Sequence, residues 1–302
     1  MRLFLIFFTH QIFTIECCMT SLSHPNSSNL NALTSVRWLN AVRLSSPPLF
    51  WAGLSLLAIS LICAALPLVD DRVFQGVSVW LKPWKFQVSV GFYFLTLAWF
   101  MVFLPKGALS RLPVRALVWV SVSCGLFEVI YVSLQGVRSL GSHYNTGTPF
   151  YALMYALMGL GAVFLTGASL ALAVVIGRSD DYAAPSVLKL SIVLGLTLTF
   201  FLGTGFGVYL GGNPGGHWVG GVLSDAGGLP VLHWSRTGGD LRVAHFFGIH
   251  AMHFLPAFGA LLVALRVRVT VARVAVWCFA ALLVAVSMWS FVHALNGRPF
   301  IA

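Results

Sequence analysis

Seven stretches of this chain stay apolar for long enough to cross a bilayer, near residues 49–69, 86–104, 116–136, 151–177, 187–210, 244–265 and 274–294. A hydrocarbon core of about 30 Å needs about 20 helical residues to span it. Backbone N–H and C=O groups in lipid must be satisfied inside the structure, which leaves helices or closed barrels. The period-2 alternation of a barrel strand is absent, so these runs predict an all-α polytopic integral membrane protein, with about seven transmembrane helices in one bundle. Composition agrees, with 58% hydrophobic and 9% charged residues where soluble domains carry roughly a quarter charged. The lipid bilayer is the first partner such a chain must have.

The formal charge of +10 does not indicate nucleic acid, because the basic residues are scattered through short loops without interleaved aromatics. They read instead as topology determinants. One set of alternate loops holds ten, namely Arg37, Arg43, Lys106, Arg111, Arg115, Arg178, Lys189, Arg266, Arg268 and Arg273. The other set holds seven, Arg72, Lys82, Lys85, Arg138, Arg236, Arg242 and Arg298. The bias predicts a cytoplasmic N-terminus and a C-terminus outside the cell membrane. Residues 1–47 then form an N-terminal cytoplasmic tail, mobile over 19–47, and residues 48–302 the membrane domain. Residues 1–18 resemble a signal peptide loosely, since Thr9, His10 and Gln11 break their apolar core, and Met19 offers an alternative start. Five cysteines, an odd number, form no disulfide or zinc spacing and read as small buried residues.

The polar residues gather in the outer segments. "VDDRVFQGVSVWLKPWKF" mixes Trp with Lys in the manner of an interfacial segment, and a Gly-rich loop over 211–242 carries two Trp, two His and two Asp. That loop is too long and too aromatic for a tether, and it is expected to fold back over the outer mouth of the bundle. Its "GGNPGG" lacks the Lys-Ser/Thr ending of a phosphate-binding loop. At "WLKPWKF", "SHYNTGTPF" and "TGGDLRVAHFFGIHA" the chain resembles a group of bacterial polytopic membrane proteins, over roughly residues 48–300. The resemblance implies a bacterial inner-membrane location and brings no activity or catalytic residue with it.

Glu128, Tyr131, Gln135 and Arg138 fall within about 80° of one helical face. An ionisable residue near the bilayer midplane, as Glu128 is placed, is a functional-site hypothesis that asks for a partner. The sixth run supplies His245, His250 and His253 within an arc of about 140°. Matching depths pairs Glu128 with His253, and Arg138 with Asp240 or His245. The seventh run adds Ser287, Ser290 and His293. Together these predict a polar funnel open to the outside and closed inward by apolar packing, with Glu128 and His253 as catalytic groups and Arg138, His245, Gln135 and Lys85 as small-molecule ligand contacts.

Three chemistries fit. A metal ion held by His250, His253 and His293, with Glu128 as a further ligand, suits a membrane enzyme, although the pair lacks the Glu of a zincin motif. A haem held between His245 and His293 near Gly248 suits a redox protein. A proton-coupled transporter or ligand-binding protein without cofactor uses Glu128 and the histidines as proton carriers. A retinal protein is excluded, because residues 274–294 contain no lysine. Interhelical His and Glu bonds of purely structural value, about 0.6 kcal/mol each, explain the same residues without any ligand.

Overall fold

The computed structural model describes residues 30–105 and 107–302, with side chains from Arg37 onward. The expectations for residues 1–18 and for a start at Met19 lie outside the described residues. In chain order the helices are α1 Leu30–Ser45, α2 Pro47–Ala65, α3 Leu81–Met101, α4 Leu112–Val137, α5 Pro149–Gly177, α6 Ser186–Leu198, α7 Thr204–Gly212, α8 Arg242–Ile249, α9 Ala251–Ala264 and α10 Val269–Leu295. Prolines open three of them: Pro47, Pro113 and Pro149 stand in the first two positions, where an N–H would have no helical acceptor. Thr148 caps α5, its Oγ1 accepting the Tyr151 N–H at 3.3 Å.

Among the described residues, five helices are long and apolar enough to cross a membrane, and the bent pair α8–α9 makes a sixth. The molecule is therefore an all-α polytopic membrane protein. Helix α3 corresponds to the remaining run; its 21 residues reach about 32 Å at 1.5 Å per residue. It is not apolar enough to count with the others, since Lys82, Lys85 and Gln87 occupy its first turns. Segment 30–45 departs from expectation. It is helical rather than an unstructured tail, and it docks where Val42 is buried and Ser45 Oγ donates to Ala98 O at 2.8 Å.

Alternate connections collect at two opposite ends. At the first, Ala183 N donates to Phe103 O at 2.9 Å and the Tyr182 hydroxyl to Phe100 O at 2.9 Å; we call it the basic end. At the second, Arg72 reaches Val137 O at 2.8 Å, Asp225 N reaches Gln75 O at 2.9 Å and Arg236 reaches Ala302 O at 3.1 Å; this is the cap end. The bundle is sealed toward the basic end by fully buried Phe94, Leu97, Phe100, Met101, Leu172 and Ile176, which belong to one continuous cluster. Leu61, Ile62, Phe201, Trp277 and Leu282 are all more than half exposed, an apolar exterior that lipid satisfies and water does not.

Two of the crossings are irregular and lie against each other. A π turn, Thr199–Gly203, joins α6 to α7, and α8 meets α9 at 47° across His250. Close approach makes both possible. A Cβ on Gly195 would come within 2.9 Å of Ala251 O, and one on Gly248 within 2.9 Å of the Leu202 carbonyl carbon. Small residues at such crossings let backbones pack where lipid provides no hydrophobic drive.

The long loop folds over the cap end. Its strand β3, Trp218–Val219, pairs antiparallel with β4, Gly239–Asp240. A second short hairpin, β1 Val73–Phe74 with β2 Val77–Ser78, turns at Gln75 and Gly76 with positive φ at both, the geometry of a type I′ turn. The loop rests on that turn: Ser224 Oγ donates to Gln75 O at 3.2 Å.

Candidate functional site

Helix α4 carries the polar stripe inward, with Glu128, Tyr131 and Gln135 buried. Gln135 Nε2 donates to the Tyr131 hydroxyl at 2.7 Å. Glu128 is 4% exposed and its Oε1 is buried with no hydrogen-bond partner. The neighbouring α5 makes room for it at Gly161, where a Cβ would lie 3.3 Å from that oxygen. Arg138 departs from the stripe: it is exposed and binds the Tyr151 hydroxyl at 2.9 Å, its guanidinium 5.8 Å from the ring centre. It meets neither Asp240 nor His245, because it follows the last turn of α4 and reaches sideways to α5.

Lys82, at the start of α3, stands within electrostatic reach of Glu128. Its ammonium donates to His143 Nδ1 at 3.2 Å, a ring that also accepts from Ser142 Oγ at 3.1 Å and stands against Phe86 and Tyr155. Lys82 is solvent-exposed, yet it feels the charges of Arg242, Asp225, Glu128 and Lys85. Those groups sit on several different elements, which converge near the start of α3. Lys85, expected as a ligand contact, spends its ammonium on Leu232 O at 2.8 Å and so ties the cap down. Burial and the adjacent Lys82 ammonium hold His143 well below the usual histidine range, so it is a neutral acceptor at pH 7.

The broken crossing supplies the histidines. His245 Nδ1 donates to Gly203 O, at 3.1 Å, inside the π turn. His250 forms the break itself, and its Nδ1 lies 3.1 Å from Nδ1 of His253, one ring donating and the other accepting. His253 therefore bonds to His250 and not to Glu128, and its Nε2 is buried without a hydrogen bond. The expected Glu128–His253 pair is not formed, because the 47° bend invalidates depths counted along a straight helix. Thr199 bridges the break: its Oγ1 accepts from Met252 N at 2.9 Å and donates to Ile249 O at 3.4 Å.

Arg242 closes the cap. Its guanidinium clasps both carboxylate oxygens of Asp240 and also reaches Asp225 Oδ1 at 2.8 Å and His233 O at 2.7 Å. His217 Nε2 donates to the same Asp225 oxygen at 3.3 Å. Burial alone raises the Asp225 carboxyl, but the His217 hydrogen bond and the Arg242 charge outweigh it and bring it down to about 2. Burial lowers His217 despite the adjacent carboxylate. The contact is thus a neutral imidazole donating to an ionised carboxylate rather than an ion pair.

His293 stands apart. Its Nε2 donates to Pro299 O at 3.1 Å and its ring stacks on Trp289. Among the described residues no group of three or more His, Cys, Asp or Glu could hold a metal ion, so His250, His253 and His293 are not assembled as a triad. Sequence reasoning quoted the segments holding Lys82, His143 and Asp225 but did not place these residues in the site. Their clustering depends on how three outer loops meet, and the available signal was only that each segment was polar. Comparison with protein-family models, with curated proteins and with solved structures finds no match for the chain.

Proposed function

We propose that this is a multi-pass bacterial inner-membrane protein, N-terminus cytoplasmic and C-terminus outside, whose cap-end funnel binds a small polar solute and couples its movement to a proton on Glu128. The observation that carries this reading is Glu128 itself, a buried membrane carboxyl whose Oε1 has no hydrogen bond, within electrostatic reach of the Lys82 ammonium that binds His143. Discontinuous helices near the bilayer centre are a recurrent means of building solute sites, because they release backbone groups and create space. A carboxyl there can bind and release a proton, and α4 has no second carboxyl to do so.

Proteoliposomes holding a trapped pH dye test this reading. A panel of small carboxylates, amino acids and sugars is added under an imposed pH gradient. At least one solute should speed proton movement in the wild type, and Glu128→Gln should abolish that coupling. Solute-independent proton movement identical in both proteins would overturn the reading.

The 3.1 Å pairing of His250 with His253 supports a second reading, a metal- or haem-dependent membrane enzyme or redox protein. Two imidazoles fall short of the three ligands a catalytic zinc needs. An absorption spectrum and metal analysis of the purified protein decide it, since a stoichiometric metal or a Soret band would displace the carrier reading.

A further inference from the structure

At the basic end the last turn of α9 ends in an unusual way. Val267 N bonds Leu262 O at 3.1 Å and Arg266 N bonds Val263 O at 3.0 Å, the paired bonds of a Schellman motif. The residue that must turn left-handed is Arg266, with φ of 53°. Glycine is the usual occupant, since a Cβ is disfavoured there. Arg266 is exposed and takes part in none of the ion pairs among the described residues.

Beside it runs a groove of about 270 Å³ between the start of α6, the end of α9 and the start of α10. Its lining is apolar along Val187, Leu262, Val267, Val269 and Ala272, with Arg266 as its charged residue. Leu261, Leu265, Val269, Val271 and Val274 are exposed around it, so the groove opens on the lipid-facing surface at a boundary of the apolar zone. Among the described residues, the helix ends and loops of this end carry nine basic residues, Arg37, Arg43, Arg111, Arg115, Arg178, Lys189, Arg266, Arg268 and Arg273, against two acidic ones, Asp180 and Asp181.

We propose that this groove seats one anionic phospholipid, its phosphate paired with Arg266 and an acyl chain lying along Leu262, Val267 and Val269. Apolar walls meeting a single cation match a molecule that is apolar along its length and anionic at one end. The excess of positive charge at this end favours an anionic headgroup over a zwitterionic one. The left-handed arginine is then accounted for: the motif projects the guanidinium at the groove, and a glycine there would leave the headgroup without a partner. This site is separate from the cap-end funnel and does not depend on how that funnel works.

The test uses the full chain in detergent, with thermal unfolding and native mass spectrometry read in phosphatidylglycerol, phosphatidylcholine and inorganic phosphate. Phosphatidylglycerol should bind and raise the unfolding temperature, and the other two should not. Arg266→Gly relieves the backbone and removes the charge together. It should leave the lipid-free protein as stable as the wild type or more so, yet weaken phosphatidylglycerol binding about fivefold, the equivalent of about 1 kcal/mol for one basic residue at an anionic headgroup. Arg111→Gln, at the same end but outside the groove, should bind like the wild type. The proposal is overturned if Arg266→Gly keeps wild-type binding, if Arg111→Gln loses as much, if phosphatidylcholine binds equally, or if inorganic phosphate alone gives the same stabilisation.

Discussion

Thr199 and Met252 belong to different membrane crossings, and the Thr199 hydroxyl accepts the Met252 N–H at 2.9 Å. That N–H is released by the break at His250, and the same hydroxyl donates to Ile249 O, so one side chain serves a donor and an acceptor of the interrupted helix. Pro256 lies inside α9 and brings no N–H to the carbonyl of Met252, four residues earlier, which weakens the same turn further.

Replacing Thr199 with Val keeps the shape and deletes the hydroxyl. The change leaves Met252 N–H buried without an acceptor, at a cost of about 1–3 kcal/mol. We expect a clear fall in the detergent unfolding temperature for Thr199→Val and near-complete retention for Thr199→Ser. Equal stability of wild type and Thr199→Val would show that the bend supports itself.

The cap should loosen as pH falls below about 6.5. His217 has a folded pKa lowered by burial, so its contribution to stability is full above the unfolded value of about 6.5 and is lost as pH falls through the lower folded value. Asp225 has the same sign at lower pH: its contribution is present above about 4 and is lost toward about 2. The charged and titratable groups around His217 are Asp225, Asp240, Arg242 and His143. Hydrogen-exchange protection over residues 213–241, taken relative to the intrinsic rate at each pH, should fall between pH 7.5 and 5.5, and His217→Gln should reduce that fall, with His233, also lowered by burial, supplying the remainder. An unchanged pH profile in the variant would place the titration elsewhere.

Gly239 in β4 lies against the end of α10, where an added Cβ would overlap the Ala294 carbonyl. Gly239→Ala should therefore lift β4 from α10 at a cost of about 1–3 kcal/mol. The expected readout is faster limited proteolysis within 213–241, with the membrane crossings still protected. Wild-type cleavage kinetics would show that the loop is held by Lys85 and Arg242 alone.

A reporter placed after Ala302 should be active only when exported, and one after Gly107 only in the cytoplasm. The reason is the ten-to-seven division of basic residues between the two sets of loops. The opposite pattern would turn the funnel toward the cytoplasm.

The apolar runs alone determined that the chain is a helical membrane protein and where most of its long apolar helices lie, because the length of an apolar run is a local property that bilayer thickness reads directly. They also marked α4 as a helix with one polar face, and Glu128, Tyr131 and Gln135 are buried as that periodicity requires. Partners were another matter. Depth along a straight helix suggested Glu128 with His253, but a bend at His250 and a π turn opposite it changed both depth and direction, and His253 met His250 instead. Arg138 faced Tyr151, while Lys82, from a different segment, met His143. Which loop residues converge at the cap is decided by hydrogen bonds such as Asp225 N to Gln75 O and the Lys85 ammonium to Leu232 O, bonds between segments far apart in the chain. Periodicity describes one helix at a time, and these contacts exist only where several helices and loops meet.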